Sequence, residues 1–368
     1  MHGATPDAER RDKLRLIRSA NVGPVTYFQL IARFGSAAAA LDAIPNLAAR
    51  GGGRAPQIAT VTQVETEMRA VDKLGARYLF VGEGLYPALL ANLDTAPPAL
   101  IVKGNLALLE RPTVAIVGAR NASAAACRFA RGLAHDLVGE GLLVVSGLAR
   151  GIDTAAHQGS VDVATAGVIA SGIDIAFPPE NAELQDRIAR DGVLIAEQVP
   201  GREPLARHFP SRNRIIAGMA LGTVVIEAAP KSGSLITARL ANEAGREVMA
   251  VPGSPLDPRA QGCNALIREG ATLVQNAADV LEAIRPMGEI WRSGVRAPAD
   301  RWRAGPTDTE ADDAARRTIT GLLGHTPVAV DEVVRQSGAH PAIVATVLLE
   351  LELTGRLGRH AGGRVSLE

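Results

Sequence analysis

Thr113-Val114-Ala115-Ile116-Val117-Gly118-Ala119-Arg120-Asn121-Ala122-Ser123 decides the architecture of this chain. Its apolar, β-branched start has the length and composition of a buried strand. Gly118 breaks the run. Over residues 124–139 a helical period takes over, with Phe129, Leu133, Leu137 and Val138 on one face. After Gly141 the same order recurs: a strand at 142–145, the loop Ser146-Gly147-Leu148-Ala149-Arg150-Gly151-Ile152-Asp153, then a helix entered before His157. Strand, glycine-bearing loop and helix, repeated, predict a parallel sheet covered by helices. Ligands of such sheets bind beyond the carboxyl ends of the strands.

Outward from this stretch the alternation continues. Residues 78–81 and 100–102 read as strands upstream; 166–170, 192–196, 223–226 and 248–251 do so downstream, with helices at 182–190, 215–221 and 235–244. The predicted fold class is α/β, an extended Rossmann-like doubly wound sheet over residues 76–285. Residues 1–75 read as a helical domain. Within it, Asn21-Val22-Gly23-Pro24-Val25 separates a helix at 7–19 from one carrying Tyr27, Leu30, Ile31 and Phe34, and Ser36 can cap a third. That order resembles a helix-hairpin-helix (SAM-like) element, whose amides can hold a phosphate; a packed helical domain without a ligand explains it equally well. Residues 286–313, with Pro286, Pro298 and Pro306 and an acidic end, read as a linker. Residues 314–368, with helices from Val330 and at 341–353 and a hairpin turning on Gly362-Gly363, read as a winged helix.

The 368 residues carry a formal net charge of +0, so a polyanion site has to be a local patch rather than a coat of positive charge. Hydrophobic residues at 47% suffice for a large core, and aromatics at 3% limit base stacking as a binding device. Cys127 and Cys263 match no metal spacing and suggest a reducing compartment. The polar start has no signal-peptide core and no run reaches the length of a membrane span, so a cytoplasmic protein without a membrane partner is expected.

Four loops offer anion sites. In the first, Gly118 permits close backbone approach, Ser123 can cap the next helix, and Arg120 adds a fork of donors. It lacks the further glycines of a dinucleotide fingerprint, and no acidic residue follows the second strand for a ribose, so no nicotinamide or other cofactor is expected. The second loop repeats the design with Ser146, Gly147, Arg150 and Gly151; its Asp153 is open between catalysis and capping the following helix, with capping preferred. The third is Ser211-Arg212-Asn213-Arg214, of which Arg212, Asn213 and Arg214 are candidates. It lies in a segment, 201–240, with Arg202, Arg207, Arg212, Arg214, Lys231 and Arg239 against Glu203 and Glu227. The fourth, Lys231-Ser232-Gly233-Ser234, shares only its Lys-Ser pair with a P-loop, yet Lys231, Ser232 and Ser234 offer a charge and two hydroxyls at a helix start. Four such loops suit a string of phosphates. His157 and His208 stand alone and read as structural or surface residues, and no catalytic or metal set is recognisable.

The ordered segments Val114-Ala115-Ile116-Val117-Gly118-Ala119-Arg120, Ser146 to Asp153, Phe209-Pro210-Ser211-Arg212-Asn213-Arg214-Ile215-Ile216-Ala217-Gly218, Lys231-Ser232-Gly233-Ser234-Leu235-Ile236-Thr237-Ala238 and Val251-Pro252-Gly253-Ser254 resemble those of the DNA-processing protein A (DprA/Smf) family. The resemblance implies a non-enzymatic protein that binds single-stranded DNA, forms a homodimer through the central domain, protects incoming single strands and loads the RecA recombinase onto them during natural transformation. It also implies that Arg120 contacts DNA. A rival resemblance is to nucleotide-binding Rossmann enzymes of the phosphoribohydrolase (lysine-decarboxylase-like) type. Those carry a Gly-Gly-x-Gly-Thr loop followed by a glutamate; after Lys231-Ser232-Gly233-Ser234 here, no glutamate follows until Glu243.

Overall fold

The computed structural model describes residues 7–54, 56–292, 311–360 and 362–368. Three helices come first: α1 (Asp7–Arg18), α2 (Pro24–Phe34) and α3 (Ala37–Arg50). Pro24 sits in the first turn of α2, where its missing N–H costs nothing, and the Ser36 hydroxyl caps α3 by accepting from the Ala39 amide at 3.2 Å.

After α4 (Val61–Lys73) the chain builds one nine-stranded sheet. Its elements, in chain order, are β1 (Arg77–Phe80), α5 (Ala88–Ala91), β2 (Ala99–Gly104), β3 (Thr113–Gly118), α6 (Ala124–Gly139), β4 (Leu143–Ser146), α7 (Ile152–Ser160), β5 (Thr165–Gly172), α8 (Ala182–Asp191), β6 (Val193–Gln198), α9 (His208–Met219), β7 (Gly222–Ile226), α10 (Gly233–Glu243), β8 (Glu247–Ala250), α11 (Gln261–Arg268), β9 (Thr272–Leu273) and α12 (Ala277–Arg292). The spatial order is β1-β2-β6-β5-β4-β3-β7-β8-β9. β1 and β2 are the antiparallel extension; from β6 to β9 every pairing is parallel. The central strands β4, β5 and β7 are buried along their whole length, as strands covered on both faces must be.

The last part comprises α13 (Asp313–Gly321), β10 (Val328–Ala329), α14 (Val330–Ser337), α15 (Pro341–Leu353), β11 (Leu357–His360) and β12 (Arg364–Leu367), with the three short strands in one antiparallel sheet, a winged helix. The described residues fall into two compact units. One runs from Glu67 through α12. The other unites the residues up to Thr66 with those of the winged helix, two segments that the sequence reads as separate domains. Both ends of the segment 286–313, read as a linker, are helical. α12 continues through Pro286 to Arg292, because one proline removes a single helical bond and the flanking residues keep theirs. At the far end Asp312 caps α13, accepting from the Ala315 amide at 2.7 Å, so part of the acidic stretch is a helix start. Residues 293–310 of that segment lie outside the described residues.

His157, on α7, is fully buried in the central unit. Its Nδ1 lies 2.8 Å from the Thr165 hydroxyl, and its Nε2 has no hydrogen-bond partner among the described residues. Burial, reinforced by the charge of Arg212, pushes its pKa down to about 3. The imidazole is therefore neutral in the fold, whereas an unfolded histidine takes a proton below about pH 6.5. Between those values the unfolded state binds more protons, so this group's contribution is present at neutral pH and is lost as the pH falls. The slope is about 1.4 kcal/mol per pH unit. Denaturant titrations between about pH 6 and pH 4 should show wild-type protein losing stability more steeply than His157→Leu by that amount. Parallel slopes would mean that His157 is protonated in the fold.

Candidate functional site

From β3 the sheet grows through β4, β5 and β6 to one side; from β7 it grows through β8 and β9 to the other. β3 and β7 are neighbours, so the strand order reverses between them, and a crevice opens at such a switch point. Here it is a cleft of about 660 Å³. Its walls come from the loop after β3 (Gly118 to Asn121), the loop after β7 (Ala229 to Gly233), the residues Ala149 and Asp153, the start of α9, and Arg259. A smaller cleft of about 370 Å³ adjoins it, and Arg120, Phe209 and Arg212 line both.

Aromatic side chains stand at that junction. The Arg120 guanidinium lies 5.5 Å from the centroid of the Phe209 ring, within cation–π range. Phe209 in turn lies 5.8 Å from Phe177, with the rings inclined by 58°. Phe177 is 45% exposed, a cost in water unless a ligand covers it. Thus two of the chain's six phenylalanines meet where the cations are. The aromatics that composition makes scarce are concentrated at this junction. No local signal marks the two rings, since Tyr86 also precedes a proline and is buried in the core.

Behind the rings lies a buried charge cluster. Arg212 is 94% buried by its 6% exposure, its Nε has no hydrogen-bond partner among the described residues, and burial lowers its pKa to about 10 while Asp153 opposes that shift. It stays cationic at neutral pH. The Asp153 carboxylate accepts from the amides of Gly147 and Ala149 at 3.2 and 3.3 Å. Burial pushes its pKa up, while Arg212 and those two amides pull it back. Asp153 is therefore neither the cap of α7 nor a free acid; it ties down the loop before that helix. Gly147 is needed there for space: a Cβ would lie 1.4 Å from the Arg212 guanidinium. Gly151, with φ of 75°, caps α7 in its place. Leu148, Glu227 and Lys231 also hold positive φ, a clustering of strained backbone around the switch point.

The structure brings Gly118, Arg120, Arg212, Asn213, Lys231, Ser232 and Ser234 together on the larger cleft, and Gly147, Arg150 and Arg212 on the smaller. Arg150 is exposed and paired with Glu180 at 2.7 Å. Ser232 caps α10 and shares a 2.8 Å hydroxyl contact with Ser234. Four candidates lie off both clefts, Gly151 among them at the start of α7. The start of α6, which reads from sequence as a phosphate site, is supplied with an anion by the chain itself: Glu227 accepts from the Ser123 amide at 2.8 Å and from its hydroxyl at 2.6 Å. Ser146 is wholly buried and donates to the Ile116 carbonyl at 2.6 Å, joining neighbouring strands. Arg214 donates to the Thr95 carbonyl and pairs with Glu197, away from the cleft. Conversely, Arg259 lines the cleft unforeseen, its guanidinium held by both oxygens of Asp257 at 3.0 and 2.8 Å.

The arrangement can hold a phosphate on Arg120, Arg212 or Lys231 while offering ring faces to a base. The thiol of Cys263, buried and pushed up to about 11, is no nucleophile at neutral pH.

Comparison with known proteins identifies the family. Residues 77–285 match the DNA recombination-mediator protein A family, residues 7–70 the DprA-like N-terminal HHH domain and residues 303–363 the DprA winged helix domain. The chain is 48% identical to the DNA processing protein DprA of Streptococcus pneumoniae over 198 residues, covering 53% of this chain and 70% of that protein. The X-ray structure of that DprA superposes with a TM-score of 0.57 at 42% identity, over 61% of this chain and 77% of the other. DNA processing protein A from Helicobacter pylori, whose solved structure concerns its single-stranded DNA binding mode, superposes with a TM-score of 0.52 at 25% identity, over 58% of this chain and 97% of the other. With its central domain, its N-terminal helices and its winged helix all matched, this chain belongs to the DNA recombination-mediator protein A (DprA/Smf) family.

Proposed function

We propose that this chain binds single-stranded DNA in the switch-point cleft, shields incoming strands and loads the RecA recombinase onto them during natural transformation, catalysing no reaction itself. The observation that carries the reading is the junction of Arg120, Phe209 and Phe177 with Arg212 and Lys231 nearby. A single strand presents both things this surface fits: phosphates for the cations and unstacked bases for the rings. A duplex hides its base faces. The relative from Helicobacter pylori, solved for its single-stranded DNA binding mode, supports the ligand class.

Protection and RecA loading come from the family resemblance, as does a cytoplasmic homodimer joining two clefts into a longer track. No helix among the described residues is long and apolar enough to cross a membrane. Light scattering on the full chain at micromolar concentration should give twice the monomer mass. RecA assembly on protein-coated single strands, followed with and without this chain, should accelerate when it is present. A strict monomer or an unchanged assembly rate would remove the corresponding part of the proposal. Release of free base from a nucleoside monophosphate would instead favour the phosphoribohydrolase reading.

Affinity drawn from phosphate contacts falls with salt. Fluorescence anisotropy with single-stranded and blunt duplex oligonucleotides should show a preference for the single strand, little sequence preference, and a log–log salt slope of about −0.7 per phosphate neutralised. Equal affinity for the duplex, or no salt dependence, would sink the assignment.

Substitutions separate cleft residues from structural ones. Arg120→Ala and Phe209→Ala should each weaken single-strand binding by about 1–3 kcal/mol with little loss of thermal stability. Arg214→Ala should do the reverse, destabilising the fold by about 1–3 kcal/mol because it leaves Glu197 and the Thr95 carbonyl short of a donor. If Arg214→Ala weakened binding as much as Arg120→Ala in a protein of unchanged stability, the cleft would be misassigned.

A further inference from the structure

Helix α15 occupies the position that a DNA-reading winged helix inserts into the major groove. Its sequence, PAIVATVLLELEL, is unlike that of a surface helix: it is apolar around its whole circumference, and among its charged side chains are only Glu350 and Glu352. A helix apolar on every side needs cover on every side. Val344, Val347, Leu348 and Leu351, at helical spacing, supply one stripe and pack in the core of the winged helix with Ile319, Val333 and Val365. Thr346, Leu349, Glu350 and Leu353 form a second stripe, at the same spacing on another face. They are equally buried, with 6%, 2%, 1% and 0% exposure, yet Leu349 and Leu353 do not belong to the winged-helix core.

Cover for the second stripe comes from the other end of the chain. Arg33 on α2 donates to the Thr346 hydroxyl at 3.0 Å. Asn21, in the hairpin between α1 and α2, donates to the Leu353 carbonyl at 3.0 Å. Arg356, just past α15, donates to the Gly51 carbonyl at the end of α3 at 2.8 Å. Backbone meets backbone there: a Cβ on Gly51 would lie 2.3 Å from the Glu350 carbonyl oxygen, although its φ of −69° would suit any residue. The Glu350 carboxylate does not face this seam unpaired, because Arg316 of α13 holds both its oxygens at 2.9 and 3.0 Å.

We infer that the partner of the winged helix is this chain's own N-terminal helical domain. α15 is a core element common to both, so the two ends of the chain fold and unfold together, independently of the sheet domain inserted between them. While they are docked, α15 is closed to a DNA groove. The hairpin at Asn21, read from sequence as a possible phosphate holder, is engaged with the end of α15 instead. The inference stands apart from the cleft and survives or fails without it.

Hydrogen exchange read by mass spectrometry on the full chain tests it, with variants that strike the seam from either side. Leu349→Asp places a charge on the second stripe without touching the winged-helix core; Gly51→Val wedges the seam from α3. The expected result for Leu349→Asp is amide exchange about tenfold faster or more across α2 and α3, hundreds of residues away in sequence. For Gly51→Val the same acceleration is expected across α15, while β3, β4 and β5 keep their protection in both variants. Leu349→Asp with wild-type exchange in α2 and α3, or Gly51→Val with wild-type exchange in α15, overturns the inference. Joint loss of both ends with the sheet domain intact supports it, even if neither end refolds.

Discussion

The parallel pairing of β3 with β7 is the contact on which the rest of the central domain depends. Val114 to Gly118 run in register with Gly222 to Ile226, and a Cβ on Gly118 would lie 1.9 Å from the Ile226 carbonyl oxygen. Only a glycine lets the two strand ends close to that distance. Since the sheet grows in opposite directions from these two strands, their loops part as they leave it, and the cleft is the space between them.

Closing the strands that tightly leaves polar groups to satisfy, and the chain uses carboxylates for it. Glu227 turns with positive φ to reach the amide and hydroxyl of Ser123, and Asp153 reaches back to the amides of Gly147 and Ala149. Both carboxylates satisfy helix-start or loop amides that would otherwise be open to an external anion. What remains for a ligand is cationic and aromatic: Arg120 over Phe209, Lys231 at the rim, and Arg212 held in a buried site by the charge of Asp153. Keeping Arg212 charged there has a desolvation cost, and a bound phosphate would offset it.

The two units obey the same rule at different scales. In the sheet domain, strands apolar on both faces are covered by helices; in the other unit, a helix apolar on every side is covered by two segments from opposite ends of the chain.

By itself, the sequence determined the order of strands and helices up to β8, the doubly wound sheet, the winged helix and four of the loops around the cleft; α11, β9, α12 and the loop that carries Arg259 were not legible in it. The legible parts follow from local patterns: short β-branched runs, helical periods and glycines at fixed places, each read within a few residues. It also determined the family, through five motifs in order. Only the tertiary structure decided which candidate side chains face the cleft. Arg212 and Arg214 are two residues apart and equally basic in sequence, yet one lines the cleft and the other is taken by Glu197 and Thr95. Ser123 reads from sequence as a phosphate site, yet Glu227, a hundred residues on, fills it. Phe177 and Phe209 gain their meaning from a contact across 32 positions, and α15 gains its second partner from the far end of the chain. In each case the deciding partner is distant in sequence, and a side chain's destination depends on what packing brings beside it.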